Sequence, residues 1–119
     1  MFFKSIITAS MLVLSTAAFA QDATNHSGHV AGMDMSPSSV AFAEANAKMH
    51  TDMAIEYSGD SDVDFVHGMI PHHQGAIDMA KIQLQYGKDP EIRKLAEEII
   101  KAQEAEIAMM TAWLAAHGK

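Results

Sequence analysis

Apolar side chains recur every three or four positions over most of residues 39–119, which is the spacing of one face of an amphipathic helix. No segment shows the sustained alternation of apolar and polar residues that predicts a β-strand. Turn-forming residues interrupt the helical pattern at 58–62 and at 87–90. The pattern therefore predicts an all-α protein, an antiparallel helical bundle of about three helices.

The first predicted helix begins at Ser38 or Ser39, either of which can cap it after Pro37, and ends near Tyr57. One broad side of its helical wheel holds Phe42, Asn46, Met49, Met53 and Tyr57, with His50 at the edge. Two methionines at helical spacing are more often core residues than metal ligands. The histidine beside them strengthens the ligand interpretation, and the candidate ligands here are Met49, His50 and Met53.

The second predicted helix covers about residues 63–86, from a cap at Asp62 or Asp64 to a stop at Gly87. One side of its wheel carries Phe65, Met69, His72, His73, Ala76, Met79 and Ala80, and the opposite side carries His67, Gln74 and Asp78. Two imidazoles and two thioethers on one face suit copper better than calcium or magnesium. The main candidate metal ligands are therefore Met69, His72, His73 and Met79.

Pro71 lies inside this second helix. A proline removes one backbone hydrogen bond and crowds the preceding turn, so we expect either a kink near residues 67–71 or a helix that restarts at Ile70. Both outcomes would lie beside His72, where a freed carbonyl and a bend would open a ligand position.

The dipeptide Asp89-Pro90 predicts the start of a third helix, which continues to about His117. Its apolar stripe consists of Ile92, Leu95, Ile99, Met110, Trp113 and Leu114, and Gln103 and Glu106 lie on the same stripe. Polar groups on a buried face need partners. For Glu106 a hydrogen bond across the core ranks first, ahead of a bond that orients a metal-bound histidine and of a subunit contact. Met110 is a second candidate for supporting a metal ligand from this helix.

The first twenty residues have the composition of an export signal. Lys4 gives a basic start, an apolar run covers residues 6–14, and Ala18-Phe19-Ala20 is a small-x-small triplet. We predict cleavage after Ala20 rather than an uncleaved membrane anchor, because the apolar run is short for a membrane span. The predicted location is periplasmic or secreted, without a membrane span after signal cleavage.

Residues 21–38 are rich in Ser, Gly, Ala and Asn and lack apolar periodicity, which predicts a flexible arm before the helical domain at 39–119. The arm contains His26, His29, Met33 and Met35. These side chains either bind copper loosely or are incidental residues of a lead-in, and composition alone favours neither interpretation.

Charge and cysteine content narrow the function further. Without residues 1–20 the chain carries seven basic and fifteen acidic side chains, so nucleic acid is not an expected partner. The sequence contains no cysteine, which excludes disulfides, thiolate metal sites and cysteine nucleophiles. With ten methionines in 119 residues, any soft-metal chemistry must depend on methionine and histidine.

Two patterns, which occur in order, resemble a known family. The first is Phe65-x3-Met69-Ile70-Pro71-His72-His73-x2-Ala76-x2-Met79-Ala80, and the second is Gln103-x2-Glu106-Ile107-x2-Met110-x2-Trp113-Leu114. With Met49-His50-x2-Met53 they resemble the "domain of unknown function 305" family over residues 40–116. The resemblance implies a ferritin-like helical domain, as in CopM-type periplasmic copper-binding proteins, and copper tolerance outside the cytoplasm. It implies metal-ligand roles for all seven candidate ligands of the first and second helices.

The leading hypothesis is an exported protein that sequesters copper, as Cu(I) or Cu(II), or transfers it to a copper-acceptor protein. His72 and His73 point about 100° apart on a helix, so one helix does not bring both rings to one ion. We expect His72 to form one site with methionines of the second and first helices, and His73 to serve a neighbouring site.

Two other functions have less support in the sequence. A di-iron oxidase needs Glu-x-x-His motifs on two helices, and the sequence contains none, nor a His-Glu-x-x-His protease motif, so an enzyme is not expected. An exported helical chaperone or structural module would instead use methionines as an adaptable interaction surface, without metal. About 80 residues make a small core, so dimerisation or a fourth helix from a partner is expected in either case.

Overall fold

The computed structural model of this protein describes residues 34–119. They form three α-helices: α1 (Pro37–Asp52), α2 (Ser61–Tyr86) and α3 (Pro90–Ala116), and no β-strand occurs among them. The predicted all-α helical bundle is therefore confirmed. The predicted leader with its cleavage after Ala20, and the arm residues His26, His29 and Met33, lie outside the described residues. No helix in the described part is long and apolar enough to cross a membrane.

Both predicted ends of α1 were wrong. Ser36, not Ser38 or Ser39, caps the helix, because its side-chain oxygen accepts a hydrogen bond from the backbone N–H of Ser39. The helix thus begins inside the range assigned to the arm. It ends at Asp52 rather than near Tyr57, because the backbone tightens into a turn that brings Ile55 to within 3.9 Å of the position of a Cβ on Gly68 of α2.

The start of α2 also differs from the prediction. Asp60 caps the helix by accepting hydrogen bonds from the N–H groups of Asp62 and Val63. Asp64 instead accepts hydrogen bonds from the loop before the helix, at the backbone N–H and hydroxyl of Ser58. The acidic side chains were therefore predicted in the right turn but with the wrong residue as the cap.

Pro71 does not interrupt α2, which is continuous from Ser61 to Tyr86, so the predicted restart at Ile70 is wrong. Met49 of α1 contacts α2 at Gly75, after the proline, and Ile55, in the loop after α1, lies near Gly68, before the proline. The end of α2 at Gly87 and the start of α3 at Asp89 agree with the prediction.

α2 is the central helix, and α1 and α3 both pack against it. No Cα atom of α1 lies within 8 Å of one in α3. Arg93 closes the antiparallel α2–α3 hairpin by donating hydrogen bonds to the carbonyls of Leu84 and Gly87 at 2.7 and 2.9 Å. α1 is also antiparallel to α2, because Met49 lies at Gly75 whereas the later Ile55 lies at Gly68.

The core of residues 34–119 is small. Its buried apolar side chains are Val63, Ile77, Ala80, Ala96, Met110 and Leu114. Several large apolar side chains of α2 and α3 are instead exposed: Phe65, Met79, Tyr86, Ile92, Leu95 and Met109. The three helices therefore leave an apolar surface uncovered on the described part of the chain.

Candidate metal site

The candidate ligands of α2 lie on two different sides of the helix. His73 faces α3, and its side chain is only 14% exposed. His72 is exposed, as is Met79, and Met69 is half-buried between these two environments. The face that the wheel predicted as one surface is thus divided between a closed side, against α3, and an open side, next to α1.

Met49 of α1 reaches the open side. A Cβ built on Gly75 would overlap the Met49 sulfur, so the thioether rests directly on the glycine backbone. Gly75 is three residues after His72 and four residues before Met79, which places the sulfur on the helix surface between these two side chains. The first helix therefore brings Met49 to the face of α2 that carries His72 and Met79, and the ligand role of Met49 stays a prediction.

Met53 and His50 are placed less favourably than Met49. Met53 is the C-cap residue of α1 and is half-buried. It lies between Met49 and Ile55 in the chain, so it is level with the part of α2 between Gly75 and Gly68. His50 is exposed and lies about 100° around α1 from Met49, away from the α2 contact. We name Met49, Met53, Met69, His72 and Met79 the open cluster.

On the closed side, His73 and Glu106 form a hydrogen-bonded pair. The Nε2 atom of His73 lies 2.5 Å from a carboxylate oxygen of Glu106, which is half-exposed. The hydrogen bond across the core, ranked first for Glu106, is therefore present. His73 and Glu106 both line a groove of about 510 Å³ between α2 and α3. Met110, one turn further along α3, is buried and lines this groove as well.

Two buried atoms at the α2–α3 contact have no hydrogen-bond partner among the described residues: the Nδ1 atom of His73 and the side-chain oxygen of Gln103. With Nε2–H donating to the carboxylate, Nδ1 of a neutral imidazole carries a lone pair. Buried lone pairs without donors are uncommon and fit a cation or a water molecule. A carboxylate on one ring nitrogen is also the usual way in which proteins orient a metal-binding histidine.

The rings of His72 and His73 have centroids 6.1 Å apart and planes inclined at 61°. Because the Nε2 atom of His73 is engaged by Glu106, the two rings do not present equivalent free nitrogens to one ion. Within residues 34–119, no three His, Asp or Glu side chains are grouped so that they could hold a metal ion. The methionines are not among these side chains, and their sulfur atoms are further candidate metal ligands in this region.

Lys48 lies one residue before Met49 on α1. It is paired with Asp52, and its pKa is raised, mainly by this hydrogen bond and also by the charges of Asp52 and Asp78. Two carboxylates thus lie near one ammonium group, so the local charge at this part of the α1–α2 contact is negative.

The wheel of α2 did not reveal two features of this region. Gly75 is the contact that places Met49, and its signal in the sequence is the seven-residue spacing from Gly68, which is a small-residue pattern along one side of a helix. The second feature is the strong exposure of Phe65 and Met109, at 63% and 62%. Arm residue Met35, also a predicted ligand, is 73% exposed and lies before α1.

The fold and these side chains define a class: small all-α bundles whose central helix carries adjacent histidines and spaced methionines. Residues 62–119, from the first turn of α2 to the last residue, match the family described as a domain of unknown function (DUF305), so this segment of the chain is a domain of that family. An uncharacterized protein of Acanthamoeba polyphaga mimivirus is 45% identical over 53 residues, which are 44% of this chain and 35% of that protein. The match thus spans about a third of the relative.

Proposed function

We propose that this protein is an exported, periplasmic or secreted copper-binding protein that sequesters the ion or transfers it to an acceptor protein. The observation that carries the proposal is the His73–Glu106 pair, with Nδ1 of His73 buried and without a hydrogen-bond partner. A histidine held in this way has a fixed ring and a free lone pair, as a metal ligand requires. Met69 and Met110 are the thioethers nearest to it along the two helices.

Copper fits the donor types better than other ions. Thioethers stabilise Cu(I), and imidazole accepts Cu(I) and Cu(II). The chain has no thiolate to hold the ion more tightly, so the exposed open cluster would release copper to an acceptor. Sequestration on the closed side and exchange on the open side would together contribute to copper tolerance, within a domain of ferritin-like type.

The test is an anaerobic Cu(I) competition titration against a chromogenic chelator. His72→Ala and His73→Ala, combined in one chain, should lower Cu(I) affinity by about ten- to a hundredfold. His67→Ala is the matched control, because His67 is an exposed histidine on the opposite side of the same helix. Equal affinity in the double variant and the control would reject the proposal. Adding His26→Ala and His29→Ala to the same assay measures the contribution of the arm.

A second candidate function, a helical chaperone or structural module without metal, is favoured by the exposed Phe65 and Met109. Such side chains offer an adaptable apolar surface to unfolded chains. The discriminating measurement is the suppression of client aggregation by metal-free protein. Suppression that Phe65→Ala abolishes, together with no copper in protein purified from copper-supplemented cells, would favour this function.

A further inference from the structure

The exposed apolar residues of α2 and α3 follow a regular spacing. On α2, Phe65, His72, Met79 and Tyr86 are all exposed and lie seven residues apart. On α3, Leu95, Ala102 and Met109 are exposed and have the same spacing. Side chains seven residues apart remain on one side of a helix for several turns, and such stripes are typical of the contact between packed helices.

The two stripes run side by side, because each of two surface grooves between α2 and α3 is lined by one residue from each stripe. Phe65 and Met109 line the groove of about 510 Å³ at one end. Met79 and Leu95 line a groove of about 230 Å³ at the other end, with Phe42 of α1 at its edge. Each end of the face formed by the two stripes therefore has a groove with exposed apolar side chains at its lining, and the larger and more exposed of the two is the one at Phe65 and Met109.

Apolar side chains at both ends allow this face to pack against a second copy of itself. If the second copy is turned end to end, Phe65 and Met109 of each chain meet the apolar lining of the smaller groove of the other. His72 is midway between Phe65 and Met79, and Ala102 is midway between Leu95 and Met109. The axis that relates the copies would therefore pass beside His72 and the small side chain of Ala102.

The charges at the two ends favour the same arrangement. Residues 58–66 contain three acidic and no basic side chains, whereas residues 81–98 contain four basic and four acidic ones, with Lys94 paired to Glu98. End-to-end packing would place the acidic end of each copy beside the neutral end of the other, whereas parallel packing would place the two acidic ends together.

The size of the core points to a lasting partner rather than a transient one. Among residues 34–119, no large side chain is fully buried, while Phe65 and Met109 remain more than half exposed. A domain of this size with so small a core gains much of its stability by association.

We propose that two copies of this chain pack through this face about a two-fold axis beside His72, so that His72 of both copies binds one shared copper ion. Met69, one turn from His72 on α2, would supply one thioether from each chain. Two imidazoles and two thioethers would then give the four-coordinate N₂S₂ set that suits Cu(I). The shared ion rests on the proposed function, whereas the dimer does not.

Cysteine cross-linking tests the dimer without metal, and the absence of native cysteine makes it specific. In the presence of a chelator, His72→Cys should form a disulfide-linked dimer on oxidation, because only a residue near the axis meets its own copy. His67→Cys, on the opposite side of α2, should remain monomeric. A mixture of Phe65→Cys and Met79→Cys chains should cross-link to each other. A monomeric His72→Cys chain, or equal cross-linking of His67→Cys, would overturn the inference.

Copper binding then tests the shared site. Met109→Glu places a charge in the contact, far from His72, at a side chain that is already exposed, so the chain should keep its helical circular dichroism. Light scattering should show half the mass of the unsubstituted protein, and removing His72 should then weaken Cu(I) binding much less than in the dimer. Monomers that bind copper as well as dimers would overturn this inference alone. A cross-linked dimer that binds no copper would overturn the shared ion and the proposed function together.

Discussion

His72 and His73 are neighbours in the chain, yet α2 places them in opposite environments. His73 lies against α3 with Glu106 on one ring nitrogen and is 14% exposed, whereas His72 is exposed on the side next to α1. On the closed side the ring is fixed before any ion arrives, which favours retention. In the single chain the ligands of the open side are accessible and include a thioether from another helix, which favours exchange, whereas the proposed dimer would restrict access to His72. Two histidines that are adjacent in the chain therefore need not belong to one metal site.

The largest expected effect is on stability, and it compares a methionine packed on the closed side with one on the open side. Met110 is 5% exposed on the closed side, and Met79 is 38% exposed on the open side. Met110→Ala should lower the free energy of unfolding by about 2–5 kcal/mol, because it leaves a cavity in a close-packed contact. Met79→Ala should cost about 1 kcal/mol or less. Denaturant unfolding measures both, and equal losses would contradict a distinction between the sides.

A second prediction concerns two glycines of α2, of which Gly75 meets Met49 of α1 and Gly68 meets Ile55 in the loop after α1. A Cβ at Gly68 would meet Ile55 at 3.9 Å, an ordinary contact, so Gly68→Ala should stabilise the helix by about 1 kcal/mol. A Cβ at Gly75 would overlap the sulfur of Met49, so Gly75→Ala should displace that side chain and cost about 1–3 kcal/mol relative to Gly68→Ala.

The same pair of variants tests the open cluster. Displacing Met49 should weaken Cu(I) binding by Gly75→Ala protein, whereas Gly68→Ala should leave it unchanged. Thermal unfolding and the chelator titration provide the two measurements. If both variants bind copper equally well, Met49 is a packing residue and not a ligand.

The third prediction breaks the closed pair. Glu106→Ala removes the carboxylate partner of His73. The free energy of unfolding should fall by about 1 kcal/mol, the low end for a lost hydrogen-bond partner, because Glu106 is half-exposed and water can take its place. Glu104→Ala, at an exposed position of the same helix, should have no such effect. The nitrogen-15 chemical shifts of His73 should show the Nε2–H tautomer in the metal-free protein. This preference for one tautomer should be lost in Glu106→Ala and kept in Glu104→Ala. An unchanged tautomer would show that Glu106 does not orient the ring.

Most of the fold follows from local patterns. The ends of α2 and α3 are set by residues adjacent in the chain, such as Asp89 before Pro90, and were predicted to within a few residues. The end of α1 was not, because it depends on Ile55 reaching Gly68 on another helix. For the same reason the wheel identified the methionines and histidines of α2 but did not predict which neighbour each would meet. The division between His72 and His73 is a property of helix packing, which spacing alone does not contain.

The smallest expected effect lies in the loop between α1 and α2, which joins the open side to the start of α2. The pKa of Asp64 is lowered below its ordinary value of 3.8, first by the hydrogen bond from the backbone N–H of Ser58, then by its hydroxyl and by Gly59. A lowered pKa stabilises the folded loop above the unfolded pKa, and this contribution is lost as the pH falls through the folded value. Relative to Asp64→Asn, the amides of Ser58 and Gly59 should be protected from hydrogen exchange at pH 7, and the difference should disappear as the pH falls below 3.8 and passes through the lowered pKa of Asp64. Asp62→Asn is the control, since Asp62 makes no hydrogen bond to these amides, and a difference that persists in acid would show that charge does not hold this loop.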